Sequence, residues 1–420
     1  MNVKYAAQIA TLTALLGGVM LTSLFFASFA FIVALTFILS GLMLVALTIA
    51  RSTPRFPLEG IPFLAFGGLA VISTVWSVQP GVTLWASLEF LVTIVIAIYV
   101  PVALRPRFIV QMLFASALAI GVASIPGFLH SLSSGNPMTG IFASKNANAA
   151  EAEFWAFIST YLAFDRGSAR PIRLAAQASI FVAIVFVYYS RAIGSAVSVA
   201  LFFMLLAAGT SYAAVPRHLR LIVLMALLPM VIGVLLTLPD LRDGWQDFQT
   251  NVLQKDNTLT GRTFIWDTAD RVSRAHPWLG VGFAAFWTHG NPYAEGIWRT
   301  FAINNRSGFN FHNVFVEYRV ALGHIGLIGI ILLYFYVGLH VLYNLLVRPS
   351  FFGAFIFAYL TCTYAHSFSE DGIGSAFNTA TVFWIAIPRM LWVARRTSST
   401  VARIRRPGSS GGYRIATSQD

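Results

Sequence analysis

The sequence predicts an all-α polytopic membrane protein with about 12 transmembrane helices. The chain is 57% hydrophobic and only 10% charged, whereas a soluble domain carries roughly a quarter charged residues. Its apolar segments are continuous runs of about 20 residues, the length that crosses a bilayer as a helix. They do not alternate with polar residues as the strands of a membrane barrel do.

Twelve such runs follow one another along the chain. The first comes after Lys4 and is longer than the usual core of a signal peptide, so we expect an uncleaved helix there. The transmembrane domain is predicted over residues 1–394, and the basic segment 395–420 is predicted to be a disordered cytoplasmic tail. The predicted spans cover residues 6–26, 29–50, 60–79, 83–102, 108–129, 145–164, 174–190, 192–211, 219–238, 314–343, 350–367 and 375–394.

Basic residues predict the orientation of these spans. With a cytoplasmic N-terminus, the inner loops are rich in arginine, whereas the short outer loops near 80, 131–143 and 368–374 contain no Lys or Arg. This is the partition that the positive-inside rule describes. It accounts for the net charge of +12 without nucleic acid as a partner.

A large outer loop, residues 239–312, separates the predicted helices 9 and 10. Loops of this length are usually functional or disordered. Its tryptophans argue against disorder, so we expect a folded cap on the membrane surface. These tryptophans are Trp245, Trp266, Trp278, Trp287 and Trp298.

Within the cap, a helix is predicted from Arg262 until shortly before Pro277. An arginine at a helix N-terminus opposes the macrodipole, and the free N–H groups there favour an anion. A phosphate bound between them would explain Arg262; the alternative is a surface arginine that reaches an acid elsewhere. The i,i+4 pairs along this helix predict a solvated face. They are Asp267 with Arg271 and Asp270 with Arg274.

Two further cations stand at the predicted outer rim. Arg191 is alone in a tight turn between two apolar spans, where it is either functional or an arginine that snorkels to lipid headgroups. Lys145 and Asn146 stand at the outer mouth of the sixth span, with Glu151 and Glu153 just inside it. Helix capping and interhelical hydrogen bonds are the alternative explanation of this polar group.

His312 stands where the outer loop becomes a membrane helix. A lone histidine is more often structural, but the ordinary titration range of histidine suits a general base. Asn313 follows it directly, and Glu317 comes one turn later. No HExxH motif or Asp/His cluster at metal-ligand spacing is present, so we expect no metal site. His276, His289, His324 and His366 are expected to be structural.

Four segments together resemble the O-antigen ligase and polymerase superfamily of bacterial membrane glycosyltransferases, which includes proteins similar to exopolysaccharide polymerases. The segments are GIFASKNANAA at 140–150, SRAIGS at 190–195, GRTFIWDTADRVSRAHPWLGVGFAAF at 261–286 and FHNVFVEYRVALGHIGLIG at 311–329. Their order, the twelve spans and the large loop before the tenth also resemble that family, although SRAIG stands where SRG is commoner.

The resemblance implies a GT-C-like fold in the bacterial inner membrane, with an active site that faces the periplasm. It implies direct transfer with inversion from an undecaprenyl-diphosphate-linked glycan donor, without a metal or other cofactor. Arg191, Arg262 and His312 are the implied catalytic residues. The arginines would hold the diphosphate, and His312 would orient or deprotonate the acceptor hydroxyl. The expected substrate-binding and positioning residues are Lys145, Asn146, Asn313 and Glu317.

The acceptor stays open. A ligase would transfer a finished glycan to a lipid A core, whereas a polymerase would transfer a growing chain to another lipid-linked repeat unit. The short central loops and the SKN element favour a polymerase slightly. The rival interpretations are a transporter of polysaccharide or lipid-linked oligosaccharide without catalysis, built around a polar path at the midplane, and a structural scaffold.

Overall fold

A computed structural model of the protein describes residues 11–20, 31–51, 56–142, 144–220, 222, 225, 261–304, 306, 309–370 and 372–404. Within these ranges every regular element is a helix, so the all-α prediction is confirmed. The α-helices are α1 Thr11–Met20, α2 Phe31–Arg51, α3 Ile61–Ile72, α4 Pro80–Ala103, α5 Pro106–Ala123, α6 Ile125–Ser134, α7 Lys145–Phe164, α8 Arg170–Ser190, α9 Ile193–Ala214, α10 Arg262–Ala275, α11 Pro292–Thr300, α12 Val314–Val347, α13 Phe351–His366 and α14 Thr379–Ile404.

The described residues contain seven helical stretches that are long and apolar enough to cross a membrane. They confirm a multi-pass membrane protein, and the count of twelve spans stays a prediction. Most of the predicted span 219–238, the ends of the span 6–26, the loop segment 239–260 and most of the tail lie outside the described residues. The seven stretches are Ile32–Ala50, Leu58–Val75, Pro80–Ala103, Pro106–Ala123, Arg170–Ser190, Ile193–Ala214 and Val314–Val347.

Aromatic rings and small residues pack the helices together. Phe157 on α7 stacks on Phe202 on α9, with ring centroids 4.0 Å apart. Where α9 meets α13, a Cβ added to Gly209 would lie 2.9 Å from the Cβ of Ala354. Close backbone approach of this kind stabilises helix contacts in lipid, where the hydrophobic effect gives no advantage to helix association.

Helix α12 is broken near its start. Gly323 has φ 66° and ψ −157°, a conformation that is not helical and that is essentially restricted to glycine. The 24 residues after the break would extend about 36 Å, which is enough to cross a bilayer of about 30 Å. The nine residues before it therefore need not lie in the membrane. The span predicted from residue 314 is present as a candidate membrane span, and the sequence did not predict the break at Gly323.

The loop after α10 fills this break. Val281 and Gly282 donate backbone hydrogen bonds to the carbonyls of Val320 and Ala321, at 3.0 and 2.9 Å. On the other side, the N–H of His324 donates to the carbonyl of Pro277 at 2.8 Å. Backbone groups that the break frees thus find partners in the loop, as buried polar groups require. This exchange fixes the cap to the start of α12.

The described part of the cap is folded, as its tryptophans predicted. It has a hydrophobic core of its own, formed by α10, α11 and the segments around them. Trp298 and Phe311 are fully buried there, and Trp287 packs on Phe311 with ring centroids 4.8 Å apart. The cap also contacts the membrane helices through an ion pair of 2.9 Å between Asp270 on α10 and Arg319 on α12. Asp270 is therefore not part of a purely solvated face, because it bonds both Arg319 and its predicted partner Arg274.

Substitution Gly323→Ala should destabilise the protein. The added Cβ would lie 2.3 Å from the carbonyl carbon of Trp278, and the backbone conformation alone costs about 1–3 kcal/mol for a residue other than glycine. We expect a lower Tm in detergent and faster proteolysis of the cap. Gly338→Ala is the matched control, because it lies in the regular part of the same helix with its nearest neighbour 3.9 Å away. Equal losses of stability in the two variants would contradict the role given to the break.

Candidate active site

The site is organised around Glu370, which the sequence analysis did not select. Its carboxylate lies in the short loop between α13 and α14 and is half-buried. Arg262 Nη2 lies 2.9 Å from Oε1, and His312 Nδ1 lies 3.1 Å from Oε2. Asn146 Nδ2 donates to Oε1 at 3.3 Å. Three residues that the sequence analysis proposed separately thus converge on one carboxylate.

His312 is held in an unusual backbone conformation. Its φ is 51°, in the left-handed region that residues other than glycine rarely adopt. Its N–H donates to Asn310 Oδ1 at 2.7 Å, and its ring packs edge-on against Phe309. Strain of this kind concentrates at functional sites and persists where the surroundings fix it. The imidazole is thereby directed at Glu370 and stays partly exposed, with 27% of its side chain accessible.

Asn313 and Glu317 position the histidine through the backbone. Asn313 is the N-cap of α12, and its Oδ1 accepts from the N–H of Phe315 at 3.0 Å. Its Nδ2 donates to the carbonyl of Phe368, two residues before Glu370, at 3.2 Å. Glu317 accepts from the N–H of Phe311 at 3.1 Å and from Trp287 Nε1 at 3.1 Å. None of these four contacts reaches the imidazole ring. They fix the backbone of the segment that carries His312.

Arg262 begins α10, as the sequence predicted, and Gly261 before it has φ 82°. Its guanidinium is largely buried, with 16% of the side chain accessible, and it reaches Glu370. The alternative explanation was a surface arginine that reaches an acid elsewhere. Arg262 does reach a distant acid, but it does not lie at the surface. Only one guanidinium nitrogen is used in this contact, so the others stay available beside the helix N-terminus.

Arg191 ends α8 in the left-handed conformation, with φ 51°. The turn is tied to α7, because Asn148 Nδ2 donates to Ser190 Oγ at 2.8 Å. It also lies beside His366, since a Cβ added to Gly194 would be 3.9 Å from Nε2 of that histidine. The exposed Arg191 guanidinium makes no hydrogen bond or ion pair with the described residues, and Lys145 makes none through its ammonium group. The structure thus places Arg191 in a turn next to the cluster but does not bond it to Glu370.

A second polar layer lies beneath Glu370. His366 Nδ1 lies 3.5 Å from Glu153 Oε2, and Ser198 Oγ donates to Glu153 Oε1 at 2.5 Å. The N–H of Glu370 donates to the carbonyl of His366 at 2.8 Å. For Glu153, interhelical hydrogen bonding was the alternative explanation from the sequence, and the bond from Ser198 is of that kind. Glu370 was not selected from the sequence, and His366 was expected to be structural. The available signal was an acid in a short outer loop that has no Lys or Arg.

The cluster favours the ionised form of Glu370. Partial burial alone would raise its pKa, but the hydrogen bond from His312 and the charges of His312, Arg262 and His366 together lower it below the ordinary value. A carboxylate in this state accepts from a protonated Nδ1 of His312. That tautomer would leave Nε2 as the basic nitrogen of the ring.

The fold and this site define a class, a multi-pass membrane protein with a charged cluster beneath a folded cap. Residues 177–331 match the protein family described as O-Antigen ligase, so the family resemblance is confirmed. The Exopolysaccharide production protein ExoQ of Rhizobium meliloti (strain 1021) is 29% identical over 279 residues, which cover 64% of this chain and 61% of that relative. Five of the predicted site residues fall inside the family match: Arg191, Arg262, His312, Asn313 and Glu317.

The substitution Glu370→Gln tests, through the thermal stability of the protein, whether this carboxylate is ionised. Because the folded-state pKa of Glu370 lies below its ordinary value of 4.5, the carboxylate stabilises the fold above that pH, and the contribution is lost as the pH falls through the lowered pKa. We expect the Tm difference between wild type and variant to be largest at neutral pH and to vanish in acid. Glu295→Gln, which removes an exposed ion pair with Arg306, should show a smaller difference. A Tm difference for Glu370→Gln that does not change with pH would contradict the charge assignment.

Proposed function

We propose that the protein is a membrane glycosyltransferase that transfers a glycan from an undecaprenyl-diphosphate donor to an acceptor at the periplasmic face of the bacterial inner membrane. The observation that carries the proposal is the convergence of Arg262 and His312 on Glu370 under the cap. Transfer from a diphosphate leaving group requires a base and a cation, and His312 and Arg262 are held together by one carboxylate.

In the proposed reaction His312 is the general base. The Nδ1–H group donates to Glu370, so Nε2 can accept the proton of the acceptor hydroxyl. The acceptor oxygen then forms a bond to the anomeric carbon of the donor sugar as the bond from that carbon to the diphosphate oxygen breaks. Glu370 stabilises the imidazolium that results. This carboxylate is therefore a positioning residue that acts through His312.

The leaving undecaprenyl diphosphate gains negative charge, and cations would stabilise it. Arg262 offers its unused guanidinium nitrogens next to the N-terminus of α10, where free N–H groups also favour an anion. Arg191 would supply a second guanidinium from the neighbouring turn. Lys145 and Asn146, at the first turn of α7, would contact the donor from the other side. In this mechanism the arginines neutralise the diphosphate without a metal ion.

A lipid path is available beside the site. A cavity of about 790 Å³ lies between α12 and α13, and its lining is almost entirely apolar. It extends as an open groove from Asn313 and Phe368 beside the site to the exposed Leu342 further along α12. A polyprenyl chain in this groove would place its diphosphate beside Asn313, the neighbour of His312. The groove thus supports a donor whose lipid stays in the bilayer while its sugar meets the cap.

The acceptor separates two forms of the proposal. The relative is described as an exopolysaccharide production protein, which favours polymerisation of lipid-linked repeat units slightly over ligation to a lipid A core. The transporter alternative gains one feature, the broken helix α12, because transporters often use such helices. However, the loop 277–282 fills this break, and the charged cluster lies at the end of the bundle that the cap covers. We therefore favour the enzyme.

The proposal predicts glycan transfer in liposomes that contain the full-length protein and a lipid-diphosphate-linked repeat unit. We expect His312→Ala to lower the rate about 10²–10⁴-fold, the effect of removing a general base. Arg262→Ala and Arg191→Ala should each lower it about 10²–10³-fold, as the loss of a charge-stabilising donor does. Arg299→Ala is the control, because this exposed arginine of α11 bonds only the carbonyl of Glu295 among the described residues.

Adding or omitting lipid A core identifies the acceptor. Elongation without the core indicates a polymerase, and a product only with the core indicates a ligase. The enzyme assignment is wrong if well-folded wild type gives no covalent product with any donor, or if the three variants are as active as wild type. Movement of intact donor across the bilayer without a product would favour the transporter.

Glu370→Gln should change both the rate and its pH dependence. Glutamine keeps an oxygen that can accept from the Nδ1–H group of His312 but carries no charge. Hydrogen bonds to charged groups contribute about 1–1.5 kcal/mol more than neutral ones, so we expect a roughly tenfold loss of rate. Removal of the negative charge also makes the imidazolium less stable, so the neutral base persists further into acid. The acidic limb of the pH–rate profile should therefore move to lower pH. A lower rate with an unmoved profile would give Glu370 a purely structural role.

A further inference from the structure

A second cluster of arginines lies at the opposite end of the helix bundle. The candidate active site lies where α9 and α12 begin and α13 ends. The second cluster lies where α9 and α12 end and α13 begins, at the far end of the 24 residues of α12 that follow Gly323 and extend about 36 Å. Among the described residues these ends, with α14, enclose a cavity of about 990 Å³. Four arginines line it: Arg217, Arg220, Arg348 and Arg395.

Two of these arginines are fixed by the fold. Arg220 Nε donates to the carbonyl of Val215 at the end of α9, at 3.0 Å. Arg395 stacks over the ring of Tyr343. With its amide oxygen turned toward α14, the buried Asn344 accepts from Nε and Nη2 of Arg395, at 2.8 and 3.1 Å. These contacts hold two positive charges at the wall of the cavity.

The other two arginines have no partner in the described part of the chain. Arg217 and Arg348 are exposed, and their guanidinium groups make no hydrogen bond or ion pair there. Arg348 and Arg395 are also close enough to repel each other. In addition, the N-terminus of α13 meets the cavity at Ser350, and the positive end of its dipole adds to the field.

No acid of the surrounding sequence compensates these charges. Asp and Glu are absent from residues 166–239, 318–369 and 372–419, which include every segment that lines the cavity. The acids described at this end of the bundle are already paired. Asp165 bonds Arg107 at 2.7 Å, and Glu59 bonds Arg389 at 3.4 Å. The described part of the chain therefore supplies no counter-charge to the cavity.

We propose that this cavity binds a phosphate-bearing anion, either the headgroup of an anionic phospholipid or a free phosphate. Arginine recognises phosphate oxygens through paired N–H groups, and basic pockets between membrane helices bind anionic lipid headgroups. Arg217 and Arg348 would bind the phosphate directly, while Arg220 and Arg395 supply fixed positive charge behind it. The site is separate from the proposed glycosyl transfer and does not depend on it.

The test is a binding titration of the full-length protein in uncharged detergent, followed by native mass spectrometry and by Tm. The probes are phosphatidylglycerol, zwitterionic phosphatidylcholine and inorganic phosphate. We expect wild type to bind phosphatidylglycerol in preference to phosphatidylcholine. The double variant R217A/R348A should bind it at least about tenfold more weakly, because two charge-assisted contacts are lost.

The double variant R170A/R173A is the matched control, since it removes the same charge from the start of α8, outside the cavity. R217Q/R348Q repeats the test with longer polar side chains in case the alanine variant folds poorly. Binding of inorganic phosphate that the same double variant weakens would assign the site to a soluble phosphate. The proposal is wrong if R217A/R348A binds both anions as wild type does, or if phosphatidylcholine binds as tightly as phosphatidylglycerol.

Discussion

One carboxylate holds the site and the cap together. Glu370 bonds Arg262 from the cap, His312 from the segment before α12 and Asn146 from α7. Each of these elements comes from a different part of the chain. A half-buried carboxylate is costly unless charged or polar partners surround it, so the three contacts depend on one another. The position of the cap over the bundle therefore follows from the same interaction that directs the imidazole.

The break at Gly323 makes this arrangement possible. In an unbroken α12, the backbone groups near Gly323 would bond each other within the helix. They could then not bond the loop 277–282. With the break, that loop takes the freed hydrogen bonds and fixes the cap at a second point. The short helical segment before Gly323 is held by its N-cap Asn313 and by Glu317. His312 thus stands on a segment that is anchored at both ends.

The sequence predicted features that depend on local patterns. The start of α10 at Arg262 and the junction at His312 follow from helix periodicity and from the change between polar and apolar residues. Neither helix periodicity nor the change of polarity predicts the role of Glu370. Its partners are 58 and 108 residues away, and no residue of the short loop indicates them. Gly323 escaped because the apolar run continues through it. Asp270 has a local partner that satisfies the i,i+4 rule, so its contact with Arg319 could not be read from the sequence.

The candidate active site and the arginine-lined cavity at the other end of the bundle differ in one respect, the presence of an acid. At the candidate active site, Glu370 compensates part of the charge of Arg262 and His312, whereas none of the described residues that line the cavity of Arg217 and Arg348 is an acid. A site that must release a diphosphate after each proposed reaction cannot hold it with uncompensated charge, because binding the product too tightly would slow turnover. A site that retains a lipid headgroup has no such limit. The position of the acid therefore distinguishes a proposed site of turnover from a proposed site of permanent binding.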